Sequence, residues 1–157
     1  REVLADPRTV VLDTETTGLR GYVCELSVFD GKTFPIDTLV DPLVPVEPGA
    51  QRVHGLTATA LAVAPVFGEV WPALAGLLAT RRVIAWNAEF DSGVIRRELG
   101  RIGVDDALTA GWECAMRHYS DWYRDMDDAR FMRLNGGHRA GQDCAAVFDR
   151  LREMAGA

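Results

Sequence analysis

Thr9-Val10-Val11-Leu12-Asp13-Thr14-Glu15-Thr16-Thr17-Gly18 decides how the chain is read. Its first half is β-branched and apolar, which predicts a buried strand. Side chains alternate faces along a strand, so Asp13 and Glu15 point the same way. One strand end therefore offers two neighbouring carboxylates. The Thr-Thr-Gly that follows offers hydroxyls and closely approachable amides to a nucleotide. An isolated Asp-x-Glu is an ordinary polar strand end. The longer string is not, because five fixed positions should recur by chance in roughly one chain of this length in twenty thousand.

Working outward, residues 22–29 predict a second strand, Asp30-Gly31 a hairpin turn, and residues 33–40 a third strand pairing back and ending before Asp41-Pro42. Val66, Phe67, Val70, Trp71, Leu74, Leu77 and Leu78 recur at helical spacing, with Pro72 predicting a kink or a later start. Residues 83–86 read as a short buried strand, and Asn87 as the N-cap of a helix carrying Phe90, Val94, Ile95, Leu99 and Ile102 on one side. A last helix starts near Asp143, with Cys144, Val147, Phe148, Leu151 and Met154 as its apolar stripe. Residues 104–137 are the least legible. Within them Tyr119, Trp122 and Tyr123 form a helical stripe facing the core or a partner, and Asp125, Asp127 and Asp128 a solvated face. The pattern predicts one α/β domain over residues 1–157, with its core at about 8–155. Its mixed sheet holds three antiparallel strands plus parallel strands, flanked by helices.

Composition sets bounds. The 157 residues suit one domain, and no apolar run is long enough to span a bilayer. The opening Arg1-Glu2-Val3-Leu4-Ala5-Asp6-Pro7 lacks a signal-peptide stretch, so a cytoplasmic protein is expected. Position 1 is not methionine, and the chain is expected to be trimmed or renumbered. Cys24, Cys114 and Cys144 form no C-x-x-C pair and are expected to be buried free thiols. The net charge of −6 argues against tight non-specific duplex binding. Two divalent ions would add +4 and leave −2. Lys32 is the only lysine; the other basic residues are arginines, the better phosphate forks.

Three acidic segments carry the chemistry: Asp13-Thr14-Glu15, Asn87-Ala88-Glu89-Phe90-Asp91 and His138-Arg139-Ala140-Gly141-Gln142-Asp143. Hard divalent cations take carboxylate oxygens, and two of them about 3.5–4 Å apart can clamp the attacking and leaving oxygens of an in-line displacement. Asp91 falls in a first helical turn, where the dipole favours an anion. An imidazole can take a proton from an attacking water, and Gly136-Gly137 leaves the loop of His138 free to swing in. Taken singly, each segment has a bland reading: a polar strand end, a helix-capping acid, a surface histidine.

Taken together, the three segments resemble the DEDDh, or DnaQ-like, 3′→5′ exonucleases with an RNase H-like fold. That group includes the proofreading subunit of the bacterial replicative polymerase. Cys24-Glu25-Leu26-Ser27, Val53-His54-Gly55-Leu56-Thr57 and Ala64-Pro65-Val66-Phe67 add to the resemblance. The His-x-x-x-x-Asp spacing of His138 and Asp143 marks the histidine branch. The resemblance implies two Mg²⁺ or Mn²⁺ ions held by Asp13, Glu15, Asp91 and Asp143. Asp13 would bridge them, Glu15 and Asp143 would complete the site beside the attacking water, and Asp91 would serve the other. His138 would be the general base. Thr14, Thr16, Thr17, Gly18 and Leu19 would contact the terminal nucleotides, with Leu19 as a wedge. Val53, His54, Trp86, Asn87 and Phe90 would line the base pocket, although core packing is an equal reading for Trp86 and Phe90.

The implied reaction is hydrolysis of a single-stranded 3′ end to nucleoside 5′-monophosphates, DNA being favoured over RNA, with a polymerase or another replication or repair protein as a further partner. Two other readings compete: a non-catalytic DnaQ-like module that binds nucleic acid or a protein, and an RNase H-like endonuclease, which would not need the histidine element. The chain departs from the family pattern at Gly111-Trp112-Glu113-Cys114-Ala115-Met116, where many relatives carry Asp-Thr, and at Gly141 and Gln142. It departs again in the shorter, more charged stretch from Asp125 to Leu134. None of these removes a ligand; they bear on the substrate groove.

Overall fold

β1 (Thr9–Thr16) runs through the middle of a five-stranded sheet in the computed structural model, which describes residues 2–105, 111–123 and 133–156. The sheet order is β3-β2-β1-β4-β5, with β2 Val23–Phe29, β3 Ile36–Leu39, β4 Arg82–Ala85 and β5 Trp112–Cys114. β1, β2 and β3 pair antiparallel, whereas β4 and β5 add in parallel. This is the expected mixed sheet. Among the described residues no helix is long and apolar enough to cross a membrane.

The alternation along β1 builds two cores. Val10 and Leu12 face α4 (Phe67–Leu78) and α5 (Ala88–Arg101), packing with Phe67, Leu74, Ile95 and Leu99. Val11 faces the other way, onto α6 (Ala115–Tyr123) and α7 (Ala140–Ala155), with Ile84, Tyr119, Cys144 and Val147. Asp13 and Glu15 continue the Val11 side and are carried toward α7. Thr14 continues the Val10 and Leu12 side and is carried toward α5. The two faces thus hand the end of β1 to two different helices.

Several elements differ from the sequence expectation. α4 begins at Phe67 and keeps Pro72 inside, so there is no later start. Pro72 and Gly68, four residues before it, are both exposed, so the carbonyl that loses its helical donor can turn to water. The Glu69 carboxylate accepts the Val66 amide at 3.0 Å and secures that helix start. Asn87 is the residue before α5, yet its side chain makes no cap bond. α7 starts at Ala140, three residues ahead of Asp143. The 30–31 turn is longer than a two-residue hairpin, because the Asp30 carboxylate accepts the amides of both Lys32 and Thr33. β3 is correspondingly shorter. Cys24 and Cys144 are buried free thiols, but Cys114 is only half-buried. Tyr119 belongs to the core, while its neighbour Trp122 is 44% exposed. Asp125, Asp127 and Asp128 lie outside the described residues.

Glu15 opposes Glu25 across the β1–β2 ladder and Thr16 opposes Val23, so Cys24 is the extra residue of a bulge. The buried Glu98 of α5 accepts the Val23 amide there at 2.9 Å. Glu98→Ala leaves that amide unsatisfied and is expected to cost about 1–3 kcal/mol in urea unfolding. Glu98→Gln keeps an acceptor oxygen and is expected to retain most of the stability. A loss in the alanine variant below about 0.5 kcal/mol would show that the bond does not hold the bulge.

Candidate active site

At the C-terminal end of β1 lies a cleft of about 450 Å³, lined by Asp13, Glu15, Asp91, His138 and Asp143 among others. In open sheets with parallel strands this end is the usual ligand crevice. Carboxylate oxygens of Asp13, Glu15 and Asp143 all lie within 4.8 Å of one another. Two come from alternate positions of one strand and the third from the first turn of α7. Asp91 enters from the first turn of α5 on the other face. Its Oδ1 accepts both the Thr14 amide (3.1 Å) and the Thr14 hydroxyl (2.8 Å). A hollow of about 560 Å³ lies by the start of β1, but its acids are committed: Asp6 to Arg8, Asp30 to the backbone of its own turn.

The electrostatics of the cluster are unfavourable on their own. Burial holds the Asp13 carboxyl far above the usual carboxylate range, and Asp91, Asp143 and Glu15 push it further in the same direction. Burial, then the charges of Asp143 and Glu25, raise Glu15 to about 7. Burial likewise raises Asp91 to about 7 against the opposing Thr14 hydrogen bonds. Burial raises Asp143 as well. Asp143 Oδ1 is buried without a hydrogen-bond partner. A group of oxygens that repel one another, one of them orphaned, fits a divalent cation of the oxygen-seeking kind.

Glu25 is the contrasting case. It is buried beside the cluster, directly opposite Glu15. Its oxygens accept Arg139 Nε at 3.0 Å, Arg139 Nη2 at 2.5 Å and the Ala140 amide at 2.9 Å. The last contact caps the first turn of α7, where an anion is also favoured by the dipole. Glu25 and Arg139 thereby pin the helix that carries Asp143. Glu25 stood out in the sequence, but its partner, 114 residues away, did not. His138 precedes this anchor with φ +54°, a left-handed conformation that few side chains adopt. The adjacent glycines seat the loop tightly as well. A Cβ on Gly136 would fall 1.6 Å from Asp143 Oδ1, and one on Gly137 1.6 Å from Gln142 Oε1. Their role here is close approach.

The remaining expected site residues divide into two groups. Thr14, Trp86, Asn87 and Phe90 line the cleft with the acids. Thr16, Thr17, Gly18, Leu19, Val53 and His54 sit on neighbouring segments outside its lining. Thr16 Oγ1 donates to Gly18 O, and Thr17 Oγ1 accepts the Tyr22 amide. His54 is buried, with Nδ1 accepting the Leu56 amide and Nε2 facing Thr16 O at 3.2 Å. Burial lowers its pKa. Leu19 and Val53, by contrast, are 85% and 54% exposed. Met116, Arg133 and Leu134 also line the cleft and were not singled out from the sequence.

Comparison with known proteins bears on this site. A family model described as Exonuclease (RNase T) matches residues 10–149. The uncharacterized exonuclease CP81 of Escherichia phage 186 is 28% identical over an alignment that takes in 97% of this chain and 90% of the phage protein. Exodeoxyribonuclease 10 of Escherichia coli K12 is 32% identical over 68% of this chain, which spans only 44% of that enzyme. The solved structure of exonuclease X with 5′-overhanging duplex DNA superposes with a TM-score of 0.67 at 24% identity, covering 95% of this chain and 93% of that one.

A carboxylate with a raised folded-state pKa binds its proton more tightly in the native state than in the unfolded chain. Stability therefore falls as pH rises from the ordinary value (3.8 for Asp, 4.5 for Glu) through about 7, where Glu15 and Asp91 ionise. In EDTA the Tm is expected to drop across this window. Mg²⁺ or Mn²⁺ at a hundredfold excess over Kd should restore about 2.7 kcal/mol, with the larger gain above pH 7. Differential scanning fluorimetry at pH 5 and 8 checks both signs. A Tm that climbs with pH in EDTA, or ignores both metals, would refute this account of the cluster.

Proposed function

The chain belongs to the DnaQ-like exonuclease family, and from that premise we propose that it is a metal-dependent 3′→5′ exonuclease acting on single-stranded ends, DNA in preference to RNA. The observation that carries this reading is the meeting of Asp13, Glu15 and Asp143 within 4.8 Å, with Asp91 and His138 lining the same cleft. Asp13, Glu15 and Asp143 would hold one divalent ion, and Asp13 with Asp91 a second. Two Mg²⁺ or Mn²⁺ ions so held supply Lewis-acid stabilisation of the attacking and departing oxygens.

The chain's own residues do the rest. His138 accepts a proton from the water that attacks the terminal phosphorus. The bond from phosphorus to the 3′-oxygen of the penultimate nucleotide breaks. The products are a nucleoside 5′-monophosphate and a strand one nucleotide shorter. Glu25 and Arg139 hold α7 so that Asp143 and His138 stay beside β1. Leu19 and Val53 present exposed apolar surface to the last bases, as a wedge on a frayed end requires. Phe90, only partly buried, faces the cleft as a stacking surface, which tolerates any base at about 1–3 kcal/mol, while Trp86 is buried against Tyr119 and backs the cleft from the core. Thr14, Thr16, Thr17, Gly18, His54 and Asn87 shape the backbone against which the terminal nucleotide rests. Preference for DNA is supported by the exodeoxyribonuclease relative and the DNA-bound neighbour. A polymerase or repair protein is the partner this family membership favours.

A time course on 5′-labelled single-stranded DNA and RNA of one sequence tests the reading. A ladder shortening from the 3′ end is expected with Mg²⁺ or Mn²⁺ and not with EDTA, faster on DNA. Asp13→Ala should abolish it while leaving the metal-free protein at least as stable as the wild type, since one of four repelling acids is removed. His138→Ala should slow it by about 10²–10⁴-fold. Shortening that survives EDTA or the Asp13 change would refute the mechanism.

A further inference from the structure

The cleft contains a second basic group besides His138. Arg133 lines it, entering with Leu134 from the segment just ahead of Gly136-Gly137. Four carboxylates line the same cleft, yet among the described residues no ion pair or hydrogen bond joins Arg133 to any of them. The neighbouring Arg139 is different: its guanidinium is committed to Glu25. Among the described residues, Arg133 is therefore the guanidinium that lines this cleft without a carboxylate partner in it.

Charge balance indicates which anion. Four carboxylates against two divalent ions leave the centre neutral, with nothing over for the substrate's own phosphate. A phosphodiester carries one negative charge on its two non-bridging oxygens, and more builds on them during in-line attack. Preorganised donors aimed at that charge are among the largest contributors to catalysis. A guanidinium presents paired N–H donors in a plane that matches two such oxygens, which an ammonium does not. We propose that Arg133 is a catalytic residue, its guanidinium binding the non-bridging oxygens of the scissile phosphate and stabilising their charge in the transition state. The assignment rests on the exonuclease reading above. It falls in the segment where this chain departs from its family's usual pattern, so it is a property of this sequence rather than one carried over.

The test uses two substrates: a 5′-labelled single-stranded oligonucleotide and the p-nitrophenyl ester of thymidine 5′-phosphate, which has a scissile phosphate but no upstream strand. In Arg133→Ala, kcat on the ester should fall about a hundredfold with little change in KM. Arg133→Lys should recover little of it, and guanidinium ion added to the alanine variant should recover part. Calorimetry on the Ca²⁺-loaded protein supplies a readout apart from turnover. Thymidine 5′-monophosphate should bind the variant about tenfold more weakly, and thymidine equally well. Arg133→Gln, which keeps the side-chain length, replaces the alanine variant if the latter loses its metal-induced Tm rise. Ester hydrolysis within about twofold of wild type would overturn the assignment, as would a loss confined to KM for the oligonucleotide, which would place Arg133 on an upstream phosphate. A wild-type protein that cleaves neither substrate would overturn the exonuclease reading itself, whereas an active wild type with an equally active variant overturns only the role of Arg133.

Discussion

Like charges do not share a low-dielectric cleft without a counter-charge, and the architecture around β1 is organised by that constraint. Asp13, Glu15, Asp91 and Asp143 each lose hydration and gain an unwelcome neighbour. A hydrophobic substitution would relieve the strain at any of these positions, so their coexistence is a cost to folding accepted for another purpose. The surrounding structure is stiff enough to bear it. Val10, Val11 and Leu12 of the same strand are fully buried between two helical layers. The apolar half of β1 anchors what the acidic half destabilises.

Glu25 and Arg139 show the alternative solution. There the chain supplies its own cation, and the buried carboxylate becomes a structural tie between β2 and the start of α7. The comparison separates two classes of acid within one small region. Glu25 is satisfied by protein groups alone. Asp143, four residues past Arg139 and held in place by that tie, keeps an oxygen with no partner. The difference separates an acid neutralised within the fold from one left to the cleft. It also places His138 on a short, twisted approach, between a glycine pair packed on α7 and an arginine fixed to β2.

What was legible in the sequence follows from the range of the interactions responsible. Period-two alternation is local, so the shared direction of Asp13 and Glu15 could be read directly, as could the stripe of α7 through Cys144, Val147, Phe148 and Leu151. β5 could not. It is three residues long, and its strand character comes from parallel pairing with β4 and from the Arg82–Glu113 ion pair, neither of which leaves a local pattern. The commitments of polar side chains were equally hidden. The family resemblance implied substrate contacts for Thr16, Thr17 and His54, but their hydrogen bonds go to groups within the protein, as far away as residue 54 is from 16. Arg133 was read only as one of many charges in a polar stretch, because nothing in a linear sequence tells which charge of such a stretch will turn inward.

Placing Asp143 and His138 on the far side of the chain from Asp13 has a consequence in time as well as in space. During synthesis the first strand, its bulge and α5 are made well before the last helix. At about 5–20 residues per second, the interval from Asp91 to Asp143 is roughly 3–10 s. Throughout it the nascent chain has two of its three acidic segments and neither the third nor His138. On the proposed function, hydrolytic competence arrives only with the segment that closes the second core against β1. On that reading, a growing chain still in the company of its own messenger RNA has no means of cutting it.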